Sequence, residues 1–190
     1  MKIAPLLLAI LLSLAASLAT FAGPSPEEVA LRHLSATKEA NWGDYTDSLH
    51  PSALKRFKEM MIPAAEAALA TGELPAAKSI LERVFANVEI VKLKAAPPAD
   101  FFKTFITNWA AKNRGFSQTM KNANIQMLGH VNEGDKQAHA IYRMTIPAGA
   151  AKVTKVEVIS LEKEGDAWKC QLSSELENLA GSLMRQLKAK

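Results

Sequence analysis

The stretch ANWGDYTDSLHP, residues 40–51, gathers Trp42, Tyr45, Asp47 and His50 into the densest polar and aromatic cluster of the chain. A histidine offers a base or metal ligand near neutral pH, an aspartate a proton acceptor, and a tyrosine a hydrogen-bond donor. The other histidines, His33, His130 and His139, stand at no i,i+2 or i,i+4 spacing to His50, to one another or to Cys170. No metal site is therefore local in sequence. There is also no Gly-rich phosphate loop, no GxSxG elbow and no HExxH pair. Cys170 is the single cysteine, so it forms no internal disulfide. As a nucleophile it would need a neighbouring base, which no spacing supplies. No catalytic residue, metal or cofactor is assigned on this reading.

His50 precedes Pro51, and that order points to architecture. Proline at the first helical position lacks a donor that the first turn would leave unpaired, and it pushes the preceding residue out of helical geometry. His50 then sits at a cap or turn. Tyr45 and Asp47 are the better candidates in this segment for a role at a pocket mouth.

The elements that must position these groups begin at Ser25-Pro26-Glu27-Glu28, a capping box with proline in the first turn. Val29, His33, Leu34 and Thr37 share one face of the helix that follows, and Gly43 is expected to end it. A second helix starts at Pro51, with Leu54, Phe57, Met61 and Ala64 on one face, a kink at Pro63 and a stop at Gly72. Leu74, Ile80, Leu81 and Val84 mark a short helix, and the branched residues of 88–93 read as a strand. The segment ADFFKTFITNWAAKNRG reads as a helix with a broad apolar face that includes Trp109 and ends at Gly115. From Asn124 the period changes to two, and NEGD and KEGD are expected hairpin turns. Ser174 and Glu177 form a second capping box before a C-terminal helix.

Requiring one consistent apolar face sets a register for the hairpins. Opposing Asn132 with Asp135, Arg143 with Glu157 and Ser160 with Cys170 gives an inner face that runs from Ile125 and Met127 through Ala138, Ala140, Tyr142 and Met144. It continues with Val156, Val158, Ser160, Trp168, Cys170 and Leu172. Tyr142, Ser160, Cys170 and the Trp168 indole are its polar handles, and no Asp, Glu or His falls on it. Tyr142, Ser160 and Trp168, with Trp109, Tyr45 and Asp47, make the candidate pocket. The outer face then carries Leu128, His139, Ile141, Ile159 and Leu161, more apolar surface than a solvated antiparallel face normally shows. These are candidate interface residues, covered by a partner subunit, as in a homodimer, or by the protein's own helices.

Helices first, then a curved antiparallel sheet wrapped on them, with inserted helices and a C-terminal helix, make an α+β class. The helix ending in ANWGDYTDSLHP and the strands AHAIYRMTIP and VTKVEVISLEKEGDAWKC resemble the cystatin-like, cone-shaped superfamily named after nuclear transport factor two. That superfamily includes ketosteroid isomerases and limonene-epoxide hydrolases. The resemblance covers most of residues 25–180, while the helices between 63 and 113 and the C-terminal helix depart from its smallest members. It implies a cone with a pocket between sheet and helices, and frequent dimers. It fixes no reaction.

Residues 1–22 have a lysine, an apolar run and small residues at Thr20 and Ala22, the layout of a secretory signal cleaved after Ala22 or Ala19. The alternative is an uncleaved membrane anchor. Either places the remaining residues, 23–190, outside the cytoplasm as one cone-shaped domain, periplasmic or secreted, with no membrane contact after cleavage. The net charge is +4, or +3 once Lys2 is removed, with no run of like charge. That composition points away from nucleic acid. The function expected is an exported, non-catalytic domain that binds a hydrophobic small molecule or a protein. The alternative is a small isomerase- or hydrolase-like enzyme using the same pocket.

Overall fold

A computed structural model of the chain describes residues 23–70, 81–82, 84–86, 89–149 and 151–188. The expected signal segment, Gly72, Leu74, Ile80 and Val88 lie outside them. The described part is α+β, with a curved four-stranded antiparallel sheet in the order β1-β2-β3-β4 and helices packed on one face. The strands are β1 (Asn124–Glu133), β2 (Gln137–Ala148), β3 (Ala151–Glu164) and β4 (Ala167–Cys170).

Helix α1 (Pro26–Glu39) begins at the expected capping box: Glu28 N–H donates to Ser25 Oγ at 3.3 Å, and Ser25 N–H to Glu28 Oε2 at 2.7 Å. It ends earlier than Gly43. Ala40 takes a left-handed φ of 54°, and Asn41 accepts from Asp44 N–H to start a new short helix, α2 (Trp42–Asp47). The cap at Asn41, a signal as strong as glycine, breaks what periodicity alone reads as one helix. Helix α3 (Pro51–Ala70) runs through Pro63. His50 precedes it, and its carbonyl accepts from the N–H groups of Ala53 and Leu54.

Residues 90–93, expected as strand, belong to helix α4 (Ile90–Ala95). Leu93 is buried there, and Glu89 pairs with Lys92 one turn on. Local branching favours strand only where a neighbour offers a ladder, and the sheet ends at β1 and β4. Helix α5 (Pro98–Lys112) supplies Phe101, Phe102, Phe105 and Ile106, all nearly inaccessible, to an aromatic core with Phe57 and Phe85. Helix α6 (Arg114–Asn122) leads into β1, and α7 (Ser174–Lys188) closes against α3, where Arg56 pairs with Glu177. The α7 cap is Ser173, which accepts from Leu176 N–H, one residue before the expected Ser174.

The register differs from the one expected, and the difference decides the site. Across β2 and β3, Ala138 faces Leu161, Ala140 faces Ile159, Tyr142 faces Glu157 and Met144 faces Lys155. Across β3 and β4, Leu161 faces Cys170, with a two-residue turn at Gly165-Asp166 in place of a longer loop. Both pairings are one residue from the sequence-derived alignment, so every β3 side chain changes face. Ile159 and Leu161 lie on the inner face and are buried, while Val156, Val158 and Ser160 lie on the outer face. Between β1 and β2 the slip is two residues, which preserves the faces: Ile125 opposes Met144, and Met127 opposes Tyr142. A bulge then shifts the pairing at Gly129, whose φ of 140° suits glycine alone.

Candidate functional site

A cavity of about 370 Å³ opens between the inner face of the sheet and helices α1, α2, α5, α6 and α7. Its wall is mainly apolar, with Leu34, Trp42, Trp109, Met120, Ile159 and Leu176 from six elements. Trp109 is braced by Phe116, edge to face at 5.0 Å. The exposed Lys155 and Glu175 and the half-buried Glu157 mark its open side.

Away from the open side, the wall carries the polar tips of His33, Tyr45 and Tyr142 and the Thr37 hydroxyl, whose proton is already given to the His33 carbonyl at 3.0 Å. His33 is only 6% exposed and sits on the apolar stripe of α1. Its ring stacks on Tyr45 with centroids 4.3 Å apart, and Nδ1 lies 2.7 Å from Ser48 Oγ. The single Ser48 proton is already given to the Tyr45 carbonyl at 2.6 Å. The Ser48 oxygen must therefore accept, and His33 Nδ1 must carry a proton and donate. Burial pulls the His33 pKa from 6.5 down to about 4, so the ring is neutral at physiological pH. Its second nitrogen, Nε2, is then a bare lone pair.

Among the described residues, neither His33 Nε2 nor the hydroxyls of Tyr45 and Tyr142 meet a hydrogen-bonding partner, yet no fully inaccessible side-chain polar atom is unpaired. These three atoms therefore touch open space, and the cavity is the space that their residues share. Burial, with Cys170, Tyr142 and Glu175 adding to it, raises the Tyr45 pKa. Burial, then Glu157 and Glu175, pushes Tyr142 up to about 12. Both tyrosines stay protonated and can donate. The inner wall thus offers one neutral acceptor and two neutral donors, within an apolar enclosure.

Of the residues expected at a pocket, Tyr142, Trp109 and Tyr45 line this cavity. Asp47 is exposed and contributes only its carbonyl, which accepts from Lys169 Nζ at 2.6 Å. Ser160 is on the outer face beside His139 Nδ1, at 3.1 Å. Trp168 pairs with Lys163 near the last turn, where the ammonium stands 5.0 Å from the ring centre, away from the cavity. Of the expected interface residues, Leu128, His139 and Ile141 are on the outer face, and Ile159 and Leu161 are not. The expected absence of inward acids also fails, because Glu157 stands opposite Tyr142 on the inner face. His33 was legible as a polar residue on an apolar stripe, though not as a pocket group. His50 holds Ser52 through Nδ1, at 2.7 Å from Oγ, and its N–H donates to the Cys170 carbonyl.

A wider surface depression of about 660 Å³, bordered by Lys38, Arg114 and Lys121, is lined by no buried side chain. Among the described residues, no group of three His, Cys, Asp or Glu side chains could hold a metal ion, and no helix is long and apolar enough to cross a membrane. Comparison with family models, curated proteins and solved structures finds no match for this chain.

Proposed function

We propose that this is an exported, non-catalytic protein, built like the nuclear-transport-factor-two-like cones, that binds a small hydrophobic molecule between its sheet and helices. One observation carries the reading: an apolar cavity of about 370 Å³ whose inner wall presents the unpartnered polar tips of His33, Tyr45 and Tyr142. Ligand sites are apolar hollows of ~300–1,000 Å³ with a few convergent polar groups, and this cavity meets that description. Titration with the fluorescent apolar probe N-phenyl-1-naphthylamine tests it. Saturable enhancement in the wild type, abolished by the cavity-filling Met144→Trp, is the expected result. No saturable binding, or binding unaffected by Met144→Trp, contradicts it.

The enzyme reading is favoured by one specific feature, the Glu157 carboxylate opposite Tyr142 at the cavity. A carboxylate base with a tyrosine donor can move a proton next to a carbonyl. His33 is too weak a base for this at neutral pH, so Glu157 would carry the step. Catalysed exchange of deuterium into a cyclic ketone, lost in Glu157→Gln, would support this alternative; no exchange removes it.

The outer face bears Leu128, Val131, Val156 and Val158, 42%, 56%, 58% and 55% exposed. We propose a second copy of the chain as the occupant of this face. Rows of branched side chains on twisted sheets interdigitate with an identical row about a two-fold axis.

A further inference from the structure

We infer that the ligand is uncharged and that it enters hydroxyl first, its O–H donating to His33 Nε2 and its oxygen accepting from a tyrosine hydroxyl. This rests on the cavity reading above and goes beyond it by naming the chemistry of the ligand's inner end. Three observations carry it. His33 is 6% exposed, its Nδ1 proton is committed to Ser48, and Nε2 has no partner among the described residues. Nε2 meets the cavity, so an apolar ligand that fills the space strips that lone pair of water, and a ligand donor restores what is lost. Tyr45 stacks on the same ring, so its own hydroxyl is not placed in the imidazole plane and no bond joins the two.

The same geometry selects against charge. A carboxylate has no proton to give, and its lone pairs would face that of Nε2. At the open side it would also pass Glu157 and Glu175, against the single cation Lys155. An ammonium group could donate to Nε2, but the cavity's two carboxylates, Glu157 and Glu175, keep solvent contact at its open side and neither bonds to His33, so a cation buried against that ring would go unbalanced. A hydroxyl is donor and acceptor at once, which matches one lone pair beside tyrosine O–H groups. Alcohols and phenols on an apolar body are the ligand class that follows.

Three probes of one ring size test this: naphthalene, 1-naphthol and 1-naphthoate, each titrated by calorimetry or tryptophan fluorescence. One net hydrogen bond should make 1-naphthol bind about 2- to 10-fold tighter than naphthalene, with 1-naphthoate weakest. His33→Phe keeps a ring against Tyr45 and should erase the advantage of 1-naphthol while naphthalene still binds. In the unmutated protein, the ¹⁵N resonance of His33 Nε2 should move on adding 1-naphthol and stay in place with naphthalene. Equal affinities for 1-naphthol and naphthalene, tightest binding of 1-naphthoate, or a stationary Nε2 resonance with 1-naphthol bound overturns the inference and leaves the cavity reading intact. Failure of all three probes to bind overturns both.

Discussion

His33 gives its Nδ1 proton to Ser48 across 2.7 Å, and this one bond turns its other ring nitrogen into a lone pair at the cavity wall. The direction follows from proton counting, since Ser48 has a single proton and spends it on the Tyr45 carbonyl. The short helix α2 exists in part to make this possible. It carries Tyr45 and delivers Ser48, its C-terminal cap, to the buried face of α1.

A pH dependence follows. The folded state holds His33 neutral down to about pH 4, whereas the unfolded chain protonates it near 6.5. The contribution is therefore fully present above pH 6.5, is lost as pH falls towards 4, and changes no further below that. A shift of this size amounts to about 3 kcal/mol. Urea melts of wild type and His33→Phe between pH 7.5 and 4 should diverge in slope over that window; parallel curves would show that His33 is not buried neutral.

The register makes a prediction about stability. Leu161, 1% exposed, and Val158, 55% exposed, lie on opposite faces of β3. Leu161→Ala should cost about 2–5 kcal/mol in urea denaturation. Val158→Thr, compared at a chain concentration too low for two copies to associate, should stay within about 0.5 kcal/mol. The alignment read from sequence reverses that order.

That reversal shows what the sequence could and could not carry. The capping box at Ser25 and Glu28, the proline start of α3, the period-two strands and the α+β order were all legible, because each is set by neighbours in the chain. β3 was not, because Val156 and Val158 make one face look apolar while Ile159 and Leu161 do the same for the other. A rule that seeks one apolar face selects the valines. The folded sheet exposes them and accepts Lys155 and Glu157 on the inner face, where both line the cavity and keep contact with solvent. The turns gave no independent anchor either, since the pairing of Glu164 with Ala167 rests on a positive φ at Gly165 that several loop lengths could supply. Tyr142 was found at the cavity because the two-residue slip between β1 and β2, unlike a one-residue slip, keeps a strand's faces, and Trp109 because the apolar face of its helix does not depend on the sheet register.

Cys170 is completely buried, and burial pushes its thiol up to about 12, with Lys169 opposing in part. Iodoacetamide at pH 8 should leave the native protein unlabelled and label it fully in 8 M urea, to about one adduct per chain. Rapid labelling of the native protein would contradict the packing of β4 against Leu49, to which Cys170 is bridged.

The outer-face proposal predicts a mass. Light scattering should give twice the chain mass for the wild type at micromolar concentration, and the chain mass for Val158→Asp, with unchanged circular dichroism. Association of this kind is worth several kcal/mol, and a buried unpaired carboxylate removes it. A wild type that stays at the chain mass would leave the row of valines as solvated strand surface.

The most direct measurement locates an apolar molecule on the protein. With N-phenyl-1-naphthylamine bound to isotope-labelled protein, intermolecular nuclear Overhauser effects should connect its ring protons to Trp109, Met144 and Ile159, side chains that share only the cavity. Contacts to Leu128, Val131 and Val158 on the outer face, with none to the cavity residues, would contradict a ligand site between sheet and helices.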